Sequence, residues 1–185
     1  MKSNSILKQA SLSEERLYDG KGNSMQQGRV NTHKKAINRI DSEIIRLLQK
    51  DGRISNIAIA RKLGISESTV RTRLKRLINE RVIQIVAVSN PLKLGFEIVG
   101  VINIQADIKK VDNVIKELKR LKEVWYIVLT TGPSDINVEF NLKSWDELSV
   151  LLFQKIAKID GIIRTDTSLI MEFIKRQYDW GTALY

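Results

Sequence analysis

The sequence predicts an α+β protein in which an N-terminal winged helix-turn-helix unit precedes a C-terminal ferredoxin-like domain. Residues 37–90 begin with short apolar helices around a glycine, and strands and helices alternate as β-α-β-β-α-β over residues 99–176. Positive charge divides along the same line, because residues 1–90 hold 18 Lys+Arg against 8 Asp+Glu whereas residues 91–185 hold 13 of each. This asymmetry indicates a polyanion-binding module joined to a neutral one, since a merely soluble basic surface would spread its charge more evenly.

Composition narrows the classes of protein. Apolar residues make up 43% of the 185 residues, enough for a globular core. The absence of cysteine excludes structural disulfides, zinc-thiolate sites and thiol catalysis. Apolar runs are far shorter than the ~18 residues of a membrane span, and the first thirty residues lack the apolar core of a signal peptide. We therefore expect a cytoplasmic protein without a membrane partner, a metal or a cofactor.

Residues 1–36 form a polar extension that we expect to be disordered. They show no sustained apolar period and are rich in Ser, Asn, Gln, Gly and Lys, with a short helix predicted around Ser11–Leu17. His33, the only histidine, has no local partners and is interpreted as a bystander rather than a ligand or a base. Met25 is an alternative to Met1 as the start of translation.

The first folded unit, residues 37–90, opens with a predicted helix. Asn38, with Asp41 three residues later, indicates its start, because a side-chain acceptor there caps free backbone N–H groups. Asp51-Gly52 indicates its end. The apolar pattern then predicts two further helices, at about 56–63 and 66–79.

These two helices have the pattern of a helix-turn-helix over residues 56–75. Ala60 is small enough for two helices to cross closely, Gly64 accepts the positive φ of the tight turn, and Val70 packs the second helix onto the first. A charged helix on a solvated surface would explain the cations that follow, but not this spacing of small and β-branched residues.

Helical geometry, at about 100° per residue, sorts the side chains of the third helix. One side is apolar and is predicted to be core: Val70, Leu74, Leu77 and Ile78. The opposite side mixes hydroxyls with cations, as expected of a helix in the major groove of DNA, and these residues are the predicted contacts: Ser68, Thr69, Arg71, Thr72, Lys75 and Arg76. Ser66 lies at the helix N-terminus, where backbone N–H groups can bind a phosphate.

Beyond the third helix the character becomes extended. β-Branched residues predict a strand over residues 82–90, which serves either as the wing of a winged helix or as a hinge. Residues 91–98 are interpreted as a linker. The ferredoxin-like domain, residues 99–176, contains two predicted helices and four predicted strands, at 99–107, 124–130, 136–142 and 162–174.

Two surfaces of this domain predict further contacts. Two helices cover one face of the sheet, so the other face is expected to be apolar and uncovered in a monomer, which predicts a homo-oligomer built on the sheets. In the C-terminal tail, residues 177–185, we expect Tyr178 and Trp180 to pack onto the sheet or onto a neighbouring subunit.

The stretch INRIDSEIIRLLQKDGRISNIAIARKLGISESTVRTRLKRLINERVI, followed by NPLKLG, resembles the Lrp/AsnC family of transcriptional regulators. It matches the family's opening Leu-Asp-x-x-Asp, its Asp-Gly-Arg-Ile-Ser and its helix-turn-helix almost without gaps. In the second half, the family's VTG-x-x-D corresponds to residues 130–135 and its GV…T-x-T to residues 161–167. The resemblance covers about residues 37–180, and the order and spacing of the whole set make it specific.

The resemblance implies a regulator whose C-terminal domain dimerises, often assembles further into octamers, and senses a small molecule, commonly an amino acid. The family's effector site lies where dimers meet, near the loop 131–135, which implies effector contacts from Gly132, Pro133, Ser134, Asp135, Thr165 and Thr167. Exposed N–H groups around Gly132 can bind a carboxylate, and Asp135 can accept from an α-ammonium. An ordinary turn between two strands explains the loop equally well.

Three functions compete at this point. The first is a non-enzymatic transcriptional regulator that binds double-stranded DNA. The second is an enzyme similar to the sirohaem decarboxylases related to this family, but these need histidines in the second domain and none follows His33. The third is an architectural protein that coats DNA; it would carry the same charges, and only a comparison of specific with non-specific affinity separates it from the first.

Overall fold

A computed structural model describes residues 37–183 and divides them into two units. The first unit contains residues 37–86 together with 177–183, and the second contains residues 87–176. The predicted polar extension, with its short helix and its histidine, lies outside the described residues. Within the described range, no helix combines the length and the hydropathy that crossing a bilayer requires.

The first unit is built on three helices: α1 (Arg39–Lys50), α2 (Asn56–Leu63) and α3 (Glu67–Asn79). The predicted start of α1 is confirmed, because Asn38 Oδ1 accepts from the Asp41 N–H at 3.1 Å and Asp41 Oδ2 accepts from the Asn38 N–H at 3.1 Å. This reciprocal capping box satisfies two backbone donors that a helix end otherwise leaves unpaired.

The core of the first unit lies between these helices and consists of Ile44, Ile45, Ile59, Ala60, Val70 and Leu77. The predicted apolar side of α3 is therefore confirmed for Val70 and Leu77, while Leu74 is half-buried. The prediction is wrong for Ile78, whose side chain is 42% exposed. The reason is that α1 contacts α3 on the side that carries Arg73, away from Ile78.

Residues 82–90, predicted as a strand, form no strand in this structure. Ile85, Val86 and Val88 are between 48% and 61% exposed. β-Branched residues favour extended backbone, but a strand also needs a neighbour for its N–H and C=O groups, and the sheet of the described chain does not include this segment. Residues 83–90 are therefore an irregular connection, followed by a 3₁₀ turn at Pro91–Leu94.

The second unit has the predicted β-α-β-β-α-β order. Its elements are β1 (Ile98–Ala106), α4 (Val111–Leu118), β2 (Val124–Leu129), β3 (Ile136–Leu142), α5 (Trp145–Ser149, continued by a π-helical turn to Lys155 and a 3₁₀ turn to Lys158) and β4 (Ile162–Leu169). The strands form one antiparallel sheet in the order β2-β3-β1-β4. The last strand is shorter than predicted, since it ends at Leu169.

The two faces of this sheet differ in chemistry. The face that packs against α4 and α5 carries the apolar positions of the two central strands, including Ile102, Ile104, Val138 and Phe140. The alternate positions form the opposite face, and most of them are polar: Val99, Val101, Asn103, Gln105, Asn137, Glu139 and Asn141. The expectation of an apolar uncovered face is therefore wrong, because its signal came from the helix-covered side of the same strands.

The C-terminal tail packs along α1, within the first unit. The Gln49 side-chain amide pairs with the peptide groups of Gly181, donating at 3.2 Å and accepting at 3.1 Å. Ser42 and Thr182 hydroxyls form a further hydrogen bond. Within the first unit, Trp180 is 77% exposed beside α1, and the predicted packing of the tail aromatics onto the sheet or onto a neighbouring subunit stays a prediction.

Candidate functional site

The turn between α2 and α3 has the geometry that its spacing predicts. Gly64 is left-handed, at φ 65° and ψ 34°, and its N–H donates to the Ala60 carbonyl. A Cβ at Gly64 would meet no atom within 4 Å, so the backbone conformation rather than crowding selects glycine here. Ala60 and Val70 are both buried, as a close crossing of the two helices requires.

Hydroxyl groups cluster at the N-terminus of α3. Ser66 Oγ accepts from the Thr69 N–H at 3.2 Å and lies 2.9 Å from Ser68 Oγ and 2.7 Å from Thr69 Oγ1. Ser66 and Ser68 are exposed, and Thr69 is half-buried. The positive end of the helix dipole and short polar side chains therefore coincide, an arrangement suited to an anion.

One strip of α3 faces solvent. It contains Ser68, Arg71, Thr72 and Lys75, all exposed. Arg71 is 69% exposed and forms a forked ion pair with Glu67, one helical turn earlier, with two N···O distances of 2.7 Å. A guanidinium held this way is oriented at the surface, and a base edge must compete with Glu67 for it.

Arg76 belongs to a different environment from the one predicted. Its side chain is only 22% exposed, and Nη2 donates to Asp41 Oδ2 at 2.6 Å. Arg73 donates to Asp41 Oδ1 at 3.0 Å and to Asn38 Oδ1 at 3.2 Å. The guanidinium assigned to DNA from the sequence thus contacts a carboxylate of α1, because that carboxylate is fully buried and has to be neutralised.

Asp41, predicted from the sequence only as part of the helix cap, is also the buried partner of two arginines. Burial raises the pKa of its carboxyl group, but hydrogen bonds from Arg76, the Asn38 backbone and Arg73 outweigh burial and leave the pKa below its ordinary value. A signal was present in the sequence, since Asp41 precedes the buried pair Ile44 and Ile45 by three and four positions and so lies on the apolar side of α1.

The loop between β2 and β3 is a hydrogen-bonded turn. Thr130 contributes two bonds, from its N–H to the Asp135 carbonyl and from its hydroxyl to the Ser134 carbonyl, both at 2.9 Å. Gly132 is at φ 120°, and it and Pro133 are exposed at the tip. Asp135 Oδ2 accepts from the Ala106 N–H at 2.8 Å, so this carboxylate already stabilises the end of β1.

The two threonines lie on the edge strand β4. Thr165 pairs with Ile104 and Thr167 with Ile102. The Asp135 N–H donates to the Ile104 carbonyl from the other side of β1. The loop and Thr165 therefore flank the same end of β1, about 10 Å apart at two inter-strand spacings.

Within the described residues, no group of three or more His, Asp or Glu side chains is arranged to hold a metal ion. The candidate sites are the exposed strip of hydroxyls and cations on α3 and the turn between β2 and β3.

Comparisons with known proteins cover both units. Residues 37–84 match the family model for winged helix-turn-helix DNA-binding, and residues 99–180 match the Lrp/AsnC ligand binding domain. An uncharacterized HTH-type transcriptional regulator of Pyrococcus abyssi is 42% identical over 83% of this chain and 96% of its own length. The structure of Escherichia coli AsnC aligns with a TM-score of 0.67 at 25% identity, over 77% of this chain and 97% of that one.

A more distant structure agrees in fold. A transcriptional regulator from Neisseria meningitidis, solved as a complex with L-Met, aligns with a TM-score of 0.68 at 18% identity, over 78% of this chain and 96% of that one.

Proposed function

The chain belongs to the Lrp/AsnC family and is a DNA-binding transcriptional regulator with a ligand-binding domain; we propose that α3 is the helix that reads DNA. The observation that supports this is the exposed strip of hydroxyls and cations, which follows a helix N-terminus able to attract a phosphate. The excess positive charge of the chain lies entirely within residues 1–90, the half of the sequence that contains α3.

The residues of the strip take different parts in this proposal. Arg71 and Thr72 are assigned to base edges, together with Ser68, because guanidinium and hydroxyl groups match the donors and acceptors of the major groove. Lys75 is assigned to phosphate as a point charge. The Ser66 and Thr69 region is assigned to a phosphate at the helix N-terminus, and Arg76 is removed from the direct contacts because it binds Asp41.

Fluorescence anisotropy with the gene's own upstream DNA and a scrambled duplex of equal length, over a salt series, tests this assignment. Arg71→Ala should weaken binding to the upstream DNA by ~1–3 kcal/mol if the side chain reads a guanine, and should relax preference at that base. Lys75→Ala should weaken binding to both duplexes alike. Arg120→Ala, which removes an exposed arginine of the second unit, is the control. Unchanged affinity in both α3 variants would overturn the assignment.

The same titration decides between a specific regulator and an architectural DNA-coating protein, since the positive charge of the chain suits both. Tighter binding to the upstream DNA supports the regulator. Equal binding to both duplexes with a steep salt dependence supports the architectural function. An enzyme related to the sirohaem decarboxylases is disfavoured, because the chain has no histidine after residue 33.

We further propose that the second unit binds an amino acid at the end of the sheet. The N. meningitidis relative in fold is complexed with L-Met, and here the exposed tip around Gly132 faces the same sheet end as Thr165. Ser134 and Thr167 complete the proposed contacts, while Asp135 acts through the turn it holds. Anisotropy with pooled amino acids, then single ones, tests the proposal. Any change in DNA affinity that the amino acids cause in wild-type protein should be abolished by Thr165→Val. Thr130→Val is the control for the stability of the turn.

Assembly and location complete the proposal. We propose that the protein forms a homodimer and that dimers assemble further into octamers. We also propose that it is located in the cytoplasm, where it has access to DNA. The exposed apolar side chains of residues 82–90 support self-association. Light scattering after size exclusion tests it, and a monomer at micromolar concentration would contradict it.

A further inference from the structure

Asp41 is a charged residue in an unusual position. It lies in the first turn of α1, is 0% exposed, and receives three charged or backbone donors: Arg76 at 2.6 Å, Arg73 at 3.0 Å and the Asn38 N–H at 3.1 Å. A buried carboxylate without a partner strongly destabilises the folded state, so the side chains of both arginines are held beside Asp41.

The two arginines occupy one side of α3. They are three residues apart and therefore neighbours on the helix surface, between the buried side that carries Val70 and the exposed strip that carries Thr72. Their link to α1 spans more than thirty residues of sequence and is the polar contact that bears on the rotation of α3 about its own axis.

We propose that Asp41 is a positioning residue for DNA recognition: it fixes which strip of α3 is presented and withholds two guanidinium groups from the phosphate backbone. The inference rests on the proposed reading of DNA by α3. It explains how a helix with four cations can discriminate between sequences, since cations free to bind any phosphate add affinity without preference.

Lys75 and Arg76, adjacent in α3, provide a matched pair of variants to test the inference. For wild-type protein and variants, the slope of log K against log salt is measured on the upstream and scrambled duplexes. Lys75→Gln should make the slope shallower by about 0.9, the value of one phosphate contact. Arg76→Gln should leave the slope unchanged while lowering the ratio of specific to non-specific affinity. Equal slope changes in the two variants would overturn the inference.

Asp41→Asn is the complementary variant. Releasing two guanidinium groups should steepen the slope by up to about 1.8, and the ratio of specific to non-specific affinity should fall roughly tenfold, the value of one good base contact. Circular dichroism shows whether the variant is folded, and if it is not, the Arg76 and Lys75 pair decides. A merely structural Asp41 would lower stability without steepening the slope. Failure of wild-type protein to bind either duplex would instead overturn the proposed function.

Discussion

Replacing Gly64 tests whether the backbone of the helix-turn-helix turn is the reason for its glycine. At φ 65° and ψ 34° the residue is in the left-handed region, and a Cβ there would meet no atom within 4 Å. Gly64→Ala therefore introduces one effect in the folded state, the local clash of Cβ with its own backbone, and no clash with neighbours.

The magnitude follows from two opposing terms. The left-handed conformation costs an L-residue roughly 1–2 kcal/mol. Alanine also restricts the unfolded chain, which stabilises the variant by about 0.4–1 kcal/mol. Gly64→Ala should thus lower the free energy of unfolding of the first unit by about 1 kcal/mol. Gly64→Asn should cost less, because asparagine tolerates this region better than alanine.

Urea unfolding followed by circular dichroism measures both variants. Lys62→Ala, at an exposed position of α2 two residues earlier, is the control and should stay within about 0.5 kcal/mol of wild type. An alanine variant as stable as wild type would refute the reasoning, and so would an asparagine variant less stable than the alanine one. Unchanged DNA affinity after correction for the unfolded fraction would show that the turn acts through stability alone.

Three further predictions follow from contacts in the two units. The pKa of Asp41 is lowered in the folded state, so its stabilisation is fully present above the unfolded pKa of about 3.9 and is lost as pH falls from there through the lower folded pKa. The difference in urea midpoint between wild type and Asp41→Asn should therefore shrink as pH falls through that range, and a difference that stays constant would contradict this. Gln49→Ala should release the tail from α1 and raise the hydrogen-exchange rate of the Gly181 amide by at least severalfold. The control Gln154→Ala, at an exposed position, should leave that rate unchanged, and an unchanged rate in Gln49→Ala would contradict the docking of the tail on α1. Gly100→Ala should destabilise the second unit by about 1–3 kcal/mol, because its Cβ would lie 2.5 Å from a ring carbon of Phe140 and 2.8 Å from a β4 backbone oxygen; a thermal midpoint equal to that of wild type would show that the sheet yields there.

The features that the sequence predicted correctly depend on residues close together in the chain. The cap formed by Asn38 and Asp41, the left-handed Gly64 and the cap at Ser66 each act over three or four positions, so their residue types carry the signal. The alternation of Ile136, Val138 and Phe140 has the same local character and predicted a half-buried strand.

The features that the sequence did not determine depend on partners far along the chain. Residues 82–90 have the composition of a strand, but pairing needs a neighbour that composition does not supply. Ile78 and Arg76 lie at opposite borders of the apolar side of α3, and only the position of α1 decides which border is covered. Helical periodicity gives the angle between side chains and leaves open the rotation of the helix toward its neighbours.

The sequence by itself thus determined the helix-turn-helix, the strand order along the chain and the cationic helix of a family member. Tertiary structure decided which cations of that helix are paired, because Arg73 and Arg76 bind Asp41, which lies more than thirty residues earlier in the chain. It also placed the tail on α1, since hydrogen bonds between a glutamine amide and a distant backbone leave no periodic trace in sequence. Residue type predicts local backbone geometry, whereas a charge can be buried only where the fold places a distant partner beside it.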